Sequence, residues 1–181
     1  SVSFTVIYVN MTDIKSGVNP LFLRDEELRQ GMELVFYAYR DFTAEPDAIL
    51  AEYGFGRAHH RVIYFVGRNP GITVSELLGI LQITKQSLSR VLSHLVREEF
   101  ILQRPGTHDR RKRLLDLTDK GSILEKQLSR NQRDRIARAY RDAGAEAVEG
   151  YRKVILGMIN EKDREKFLKR GNFLLSKPRG Q

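Results

Sequence analysis

Cysteine is absent from the 181 residues of this sequence. Its absence excludes disulfide bonds, thiolate catalysis, thiol redox sensing and cysteine-based zinc sites. Long apolar runs are also missing, because no stretch reaches the roughly 18 residues that span a bilayer. The N-terminal SVSFTVIYVN is too short and too uncharged for a secretory signal. We therefore expect no membrane partner and no metal or other cofactor.

Positive charge, in contrast, is in excess. The chain has 31 Lys and Arg residues against 23 Asp and Glu, which gives a net charge of +8 and a pI near 9.8. This balance suits a polyanionic partner or an anionic membrane surface, and it also suits many proteins that bind neither. Hydrophobic residues at 41% and charged residues at 30% predict a soluble globular protein. We expect it in the cytoplasm.

Signals for an enzyme are sparse. Gly54 and Gly56 do not form a phosphate-binding loop after a strand, and no serine lies in a nucleophile elbow. His59 and His60 are adjacent, so on a helix they point about 100° apart and do not face one metal ion. Both are interpreted as structural histidines, or one of them as part of an effector pocket. We predict that the chain is neither an enzyme nor a metal-binding protein.

Two segments between residues 25 and 66 have helical spacing. Apolar residues recur on one face from Asp25 to Phe42, and Pro46 is expected to close that segment. The segment from Ala48 to Val66 is predicted as one or two helices, interrupted at Gly54 and Gly56.

Two capped helices are predicted after a turn at residues 69–71. Thr73-Val74-Ser75-Glu76 has the T-x-x-E form of a capping box, in which each side chain satisfies the other residue's backbone N–H. A short helix runs from there to about Leu81, and Gln82 with Ile83 forms a tight break. Thr84 then caps a second helix that runs to about Glu98. The pattern predicts a helix-turn-helix.

The second of these helices has two different faces. One is an apolar stripe that faces a core, formed by Leu88, Val91, Leu92, Leu95 and Val96. The other carries amide, hydroxyl and cationic groups with no carboxylate before Glu98, namely Lys85, Gln86, Ser89, Arg90 and Ser93. Such side chains read base edges, and the helix N-terminus attracts phosphate. The face indicates DNA recognition, with a polar surface helix of chance composition as the alternative.

A basic β-hairpin is predicted directly after the helix-turn-helix. Residues 101–104 form a strand-like run, residues 105–109 a turn, and residues 111–117 a second strand with Leu115 and Leu117 on one face. Five cations cluster on it, namely Arg104, Arg110, Arg111, Lys112 and Arg113. One arginine can enter a DNA minor groove, with Asp109 orienting a neighbouring arginine. The alternative is that these charges only keep the hairpin soluble.

The remaining chain, after a cap at Thr118, is predicted to be helical to about Leu175. Candidate breaks lie at Gly144, Gly150, Gly157 and Asn160. The helices at both ends of the chain have more apolar surface than a lone helix can bury. A symmetric dimer is the simplest way to bury that surface.

In this order, the elements from Thr73 to Gly121 resemble the core of a MarR-type winged helix-turn-helix regulator. The motifs are TVSELLGIL, ITKQSLSRVLSHL, FIL before an arginine, Asp-x-Arg at residues 109–111, and Leu-Thr-x-x-Gly at residues 117–121. The resemblance implies a mainly α fold with a small β-hairpin wing, flanked by N- and C-terminal dimerisation helices. It also implies a homodimer on double-stranded DNA with a pseudo-palindromic operator. Such proteins regulate transcription, usually as repressors released by a small aromatic or anionic effector.

The resemblance assigns roles to individual residues. It places recognition helix 84–98 in the major groove, with base contacts from Lys85, Gln86, Ser89 and Arg90. It places wing 101–117 at the minor groove, with Arg111 inserted and positioned by Asp109. Phosphate contacts are expected from Thr73, Ser75, Thr84, Ser87 and Arg104, and the DNA-binding set also includes Arg110, Lys112 and Arg113. Glu99 stands where similar proteins usually have glycine, so we expect either strain or a different helix end there.

These expectations divide the chain into regions. Residues 1–20 are an N-terminal arm, residues 48–121 the winged helix-turn-helix, and residues 176–181 a tail. Residues 21–47 and 122–175 are dimerisation helices. Two interpretations of the first ten residues stay open: they precede a natural start at Met11, or they form an extra strand or arm.

Three classes of function remain. The leading hypothesis is a sequence-specific dimeric regulator. A weakly specific, architectural DNA-binding protein is the alternative, because the basic wing serves both. A protein-interaction or membrane-surface module is the third.

Overall fold

The computed structural model describes residues 20–106 and 112–169. A short 3-10 turn at Pro20–Leu23 precedes helices α1 (Asp25–Glu52) and α2 (Arg57–Arg68). Strand β1 (Ile72–Thr73) leads into α3 (Val74–Leu81) and α4 (Lys85–Arg97). Strands β2 (Ile101–Pro105) and β3 (Arg113–Leu117) follow, and then helices α5 (Asp119–Met158) and α6 (Glu161–Lys169). This is the mainly α fold with a small β wing that the sequence predicted.

The chain divides into two compact units, residues 1–132 and 133–181. The core of the first unit includes Leu50, Phe55 and buried residues of α2, α3, α4, the sheet and the start of α5. Helix α4 contributes Leu88, Val91, Leu92 and Leu95 to this core, which confirms its predicted apolar stripe. No helix among the described residues is long and apolar enough to cross a membrane.

Helix α1 does not end before Pro46, as the sequence predicted, but continues to Glu52 with Pro46 buried inside it. Proline has no backbone N–H, so the carbonyl four residues earlier loses its helical partner. That carbonyl belongs to Phe42, and the side chain of Gln132 in α5 donates to it at 3.1 Å. Because a distant side chain replaces the missing donor, the helix passes through the proline. The predicted regional boundary after residue 47 therefore lies inside α1.

The break between α1 and α2 lies where the two glycines predicted it. Gly54 has a φ of +68°, a left-handed conformation that favours glycine, and Gly56 is the N-cap of α2. The backbone N–H of Phe55 donates to the Leu50 carbonyl at 2.9 Å. This turn seats the Phe55 ring in the core.

The sheet has three strands rather than the two that the sequence predicted. The order is β1-β3-β2, and both pairings are antiparallel. Ile72 is opposite Leu115, and Gln103 is opposite Leu115 on the other side. The two-residue strand β1 ties the start of α3 to the wing, and thus the wing to the helix-turn-helix.

The C-terminal region is helical to Lys169, with two of the four candidate breaks confirmed. Gly144 has φ 80° and ψ 167°, which interrupts the helical backbone of α5, and Asn160 lies between α5 and α6. Gly150 and Gly157 lie inside α5. The predicted continuation to Leu175 and the tail fall outside the described residues, as does the N-terminal arm before residue 20.

Candidate nucleic-acid interface

The capping box at the start of α3 is confirmed. The Thr73 hydroxyl oxygen accepts from the Glu76 backbone N–H at 3.2 Å. The Glu76 carboxylate accepts from the Thr73 backbone N–H at 2.8 Å and from its hydroxyl at 2.7 Å. The backbone hydrogen bond, and then the hydroxyl, lowers the pKa of Glu76. The hydroxyl proton of Thr73 is thus already donated to Glu76. Ser75, in contrast, lies exposed on the first turn of α3.

The turn between α3 and α4 is tight because Gln82 takes a left-handed conformation, with φ 51° and ψ 40°. Its backbone N–H donates to the Leu78 carbonyl at 3.0 Å, and its side chain donates to the Gly79 carbonyl at 2.7 Å. Thr84 then caps α4, accepting from the Ser87 backbone N–H at 3.1 Å and donating to the Ser87 hydroxyl at 2.8 Å. These bonds fix where α4 starts.

The outer face of α4 displays the four residues expected to contact bases. Lys85, Gln86, Ser89 and Arg90 are exposed and border a shallow surface depression. The helix N-terminus, with its partial positive charge, lies at the same end as Lys85 and Gln86. No acidic side chain lies in α4 itself. The face is therefore cationic and rich in hydrogen-bond donors, with its rigidity supplied by the buried stripe behind it.

Helix α4 ends in the conformation that glycine normally provides. Glu99 has a φ of +60°. Its backbone N–H donates to the Val96 carbonyl at 3.0 Å, and the Phe100 N–H donates to the Leu95 carbonyl at 2.8 Å. This is the Schellman pattern of hydrogen bonds. Of the two outcomes expected for Glu99, the structure has the strained left-handed exit and not a different helix end.

The start of α5 holds that exit in place. The Thr118 hydroxyl donates to the Glu99 carbonyl at 2.7 Å, and the Lys120 ammonium donates to the Glu98 carbonyl at 2.8 Å. Lys120 also lies 4.3 Å from the centre of the Phe100 ring. A side chain at Gly121 would meet the Phe100 carbonyl oxygen at 2.1 Å, so glycine is required there. Thr118 and Lys120 thus contact three consecutive residues, Glu98, Glu99 and Phe100, and these contacts stabilise the strained exit.

The described part of the wing carries exposed cations. Arg104 forms an ion pair with Asp116 at 2.6 Å, and Lys112 and Arg113 are exposed at the end of the hairpin. Leu115 is buried and Leu117 packs against the core, which confirms that they share a face. The predicted roles of Asp109, Arg110 and Arg111 fall outside the described residues.

The two adjacent histidines lie in separate environments. The His59 Nε2 lies 3.1 Å from the Nδ1 of His94 on α4, and the Gly56 backbone N–H donates to the His59 Nδ1 at 3.1 Å. The Phe55 ring stacks on His59 with centroids 4.8 Å apart. The sequence did not predict this contact, because residues 35 positions apart leave no periodic signal.

Burial governs the titration of both histidines. Burial, and then the nearby His94, lowers the pKa of His59. Burial also lowers the pKa of His60, against the opposing charges of Asp47 and Glu125. Across the described ranges, no group of three His, Asp or Glu side chains is arranged to hold a metal ion.

Comparisons with known proteins agree with this geometry. The model of the MarR family matches residues 53–112. An HTH-type transcriptional regulator, PetP of Rhodobacter capsulatus, is 50% identical over 149 residues, which cover 82% of this chain and 90% of that protein. The fold, the α4 face and this relative together define the class of protein, a helix-turn-helix transcriptional regulator. The chain belongs to the MarR family.

Solved structures share the fold at low sequence identity. Streptococcus pneumoniae FabT, in complex with DNA, has a TM-score of 0.65 and 18% identity, covering 79% of this chain and 98% of that chain. The MarR family transcription regulator SP03579 has a TM-score of 0.64 and 20% identity, covering 84% and 99%. A mutant MarR from E. coli complexed with operator DNA has a TM-score of 0.57 and 19% identity, covering 78% and 100%. The MarR family match and the 50% identical relative confirm the prediction of a transcriptional regulator.

Proposed function

We propose that the chain acts as a homodimer that binds one pseudo-palindromic operator with sequence preference. The recognition helix α4 enters the major groove, and the wing lies at the minor groove. The observation that carries this proposal is the outer face of α4, where Lys85, Gln86, Ser89 and Arg90 are exposed together without an acid. Arginine and lysine are suited to guanine and glutamine to adenine, so this face can distinguish base pairs.

Contacts to the DNA backbone position the helix. Ser75 and Ser87 offer hydroxyls on the first turns of α3 and α4, next to helix N-termini that favour phosphate. Thr73 and Thr84 act mainly as helix caps, which hold the first turns of α3 and α4 in place for contact with a phosphate. Arg104, Lys112 and Arg113 supply cations from the wing, and Arg110 and Arg111 extend this set, with Asp109 orienting Arg111.

Dimerisation is supported by an apolar stripe along α1. Leu28, Met32, Val35, Phe36 and Tyr39 recur at helical spacing, and each is exposed by 44% or more. A helix face of this kind is normally buried against another element. The same stripe on a second copy of the chain would cover it, and two α4 helices would then meet successive major grooves.

Release by a small effector is the regulatory part of the proposal, with repression as the outcome of binding. His60 fits an effector-lining role better than His59. The His59 ring already contacts Phe55 and His94. His60 is half-buried, and the negative charges of Asp47 and Glu125 act on it.

The test is a fluorescence-anisotropy titration against duplexes that tile the DNA beside the gene, with a random duplex in parallel, at two salt concentrations. We expect one duplex to bind at least roughly a thousandfold more tightly than the random one. Equal, steeply salt-dependent binding to every duplex would favour the architectural alternative. Equal binding to anionic vesicles and DNA would favour a membrane-surface module.

A further inference from the structure

The wing contains an arginine whose side chain crosses the sheet. Arg104 lies in β2 and is paired with Leu114, while Asp116 in β3 is paired with Leu102. Arg104 and Asp116 are therefore diagonal neighbours on the same face of the sheet. The Arg104 Nε donates to the Asp116 Oδ2 at 2.6 Å, a short charge-assisted hydrogen bond.

The end of the guanidinium reaches the far side of the middle strand. A Cβ placed on Gly71 would lie 3.3 Å from the Arg104 Nη2. Gly71 immediately precedes β1, which pairs with the opposite edge of β3, and its N–H donates to the Leu115 carbonyl at 2.9 Å. Its φ of +77° also favours glycine. Glycine at this position leaves the space that the guanidinium uses.

This arrangement brings the end of the Arg104 guanidinium close to Gly71, just before the start of α3. Asp116 occupies the Nε–H, which leaves the four N–H groups of Nη1 and Nη2. Nη2 is next to Gly71, two residues before the N-cap Thr73 and four before the exposed Ser75. A phosphate at the N-terminus of α3 would meet both the helix and the guanidinium.

We propose that Asp116 is a positioning residue for DNA binding. It holds the Arg104 guanidinium across β3, over Gly71, so that Nη1 and Nη2 contact the same phosphate as the start of α3. This inference rests on the proposed DNA-binding function. It assigns a favourable role to an acid on a surface that binds a polyanion.

The sign of the effect makes the proposal testable. Removing an acid from a DNA-binding surface raises affinity when the acid only repels phosphate. Asp116→Asn keeps the side-chain shape but weakens the bond to Arg104. We expect it to bind the preferred duplex about fivefold more weakly. The salt slope should decrease by up to about 0.9, the value for one phosphate contact.

A double-mutant cycle separates positioning from other effects. In an Arg104→Ala background, Asp116→Asn should weaken binding no further, because the group it positions is gone. Asp119→Asn is the matched control: this exposed acid three residues along should bind DNA as tightly as the wild type or more tightly when neutralised. Unchanged thermal unfolding of Asp116→Asn would show that the fold is intact.

The outcomes distinguish this inference from the proposed function. Wild-type-like or tighter binding by Asp116→Asn overturns the positioning role alone, as does an equal loss in the Arg104→Ala background. Equal binding of wild type to all duplexes overturns sequence preference, but the cycle still decides on Asp116, because a phosphate contact is independent of sequence. No binding of wild type to any duplex overturns both.

Discussion

At the residue scale, the left-handed backbone at Glu99 directs the chain from α4 into the wing. A non-glycine residue in the left-handed region carries a steric cost of roughly 1–2 kcal/mol. Here the Schellman hydrogen bonds and the contacts from Thr118 and Lys120 over-determine the conformation. The bonds to the Val96 and Leu95 carbonyls, and the bond from the Thr118 hydroxyl, involve only the backbone of residues 99 and 100. They are therefore retained whatever side chain stands at position 99.

Glu99→Gly should stabilise the protein. Glycine relieves the left-handed strain but adds flexibility to the unfolded chain, so we expect a net gain of about 0.5–1 kcal/mol in the free energy of unfolding. Urea denaturation measures it. The control is Glu98→Gly, where φ is −84° and glycine relieves no strain, so that variant should lose stability. A loss with Glu99→Gly would mean that the Glu99 side chain makes a contact worth more than the strain.

At the scale of elements, the sequence predicted those parts of the fold that local patterns encode. The T-x-x-E box, the Thr84 cap and the apolar stripe of α4 lie within a few residues of what they define. The outer face of α4 was predicted from the same pattern.

The missed features depend on contacts between distant residues. Strand β1 is two residues long and has no alternation to detect. Helix α1 passes Pro46 because Gln132, 90 residues from Phe42, donates to the freed carbonyl. The His59–His94 contact links α2 to α4 across 35 residues.

The link between α2 and α4 predicts a pH dependence of stability. Because the Gly56 N–H donates to Nδ1, the neutral His59 carries its proton on Nε2 and donates it to His94. Protonating His59 on Nδ1 would set that proton against the Gly56 N–H. The neutral His59 ring is therefore the form that keeps both hydrogen bonds. This agrees with the lowered pKa of His59.

The sign of the pH effect follows from that shift. The unfolded chain binds a proton near the ordinary histidine pKa of 6.5, before the folded chain does. Stability should be highest above pH 6.5, fall as the pH decreases below it, and level off below the folded pKa. Urea denaturation between pH 8 and pH 5 avoids the titration of Glu76, whose ordinary pKa of 4.5 is lowered.

Two variants measure how much His59 and His60 each contribute to this pH dependence of stability. His59→Gln and His60→Gln should each flatten part of the decrease, because the pKa of both histidines is lowered by burial. A wild-type stability that is constant or increases on acidification through this range would contradict the lowered pKa of His59 and His60.

At the scale of the whole molecule, the apolar stripe of α1 predicts self-association. Met32 is 73% exposed in the middle of that stripe, so Met32→Glu should place a charge in the proposed dimer interface and produce monomers. Sedimentation equilibrium measures the shift. Gln30→Glu adds the same charge to the opposite face of α1 and should leave the dimer intact. Equal dissociation by both variants, or by neither, would exclude the stripe as the interface.

The net charge of +8 attracts the protein to any duplex, so affinity alone does not establish base reading. What distinguishes a regulator is the ratio between preferred and random DNA. That ratio should depend on the outer face of α4, and in particular on Arg90, whose guanidinium can make two hydrogen bonds to a guanine.

The most direct measurement compares the binding of Arg90→Ala with wild type on the preferred and the random duplex. We expect a loss of roughly 1–3 kcal/mol on the preferred duplex and a much smaller loss on the random one. Arg97→Ala, at the far end of α4 and paired with Glu98, should leave the ratio unchanged. An equal loss on both duplexes would make Arg90 a phosphate contact and would contradict the account that α4 reads sequence through this residue.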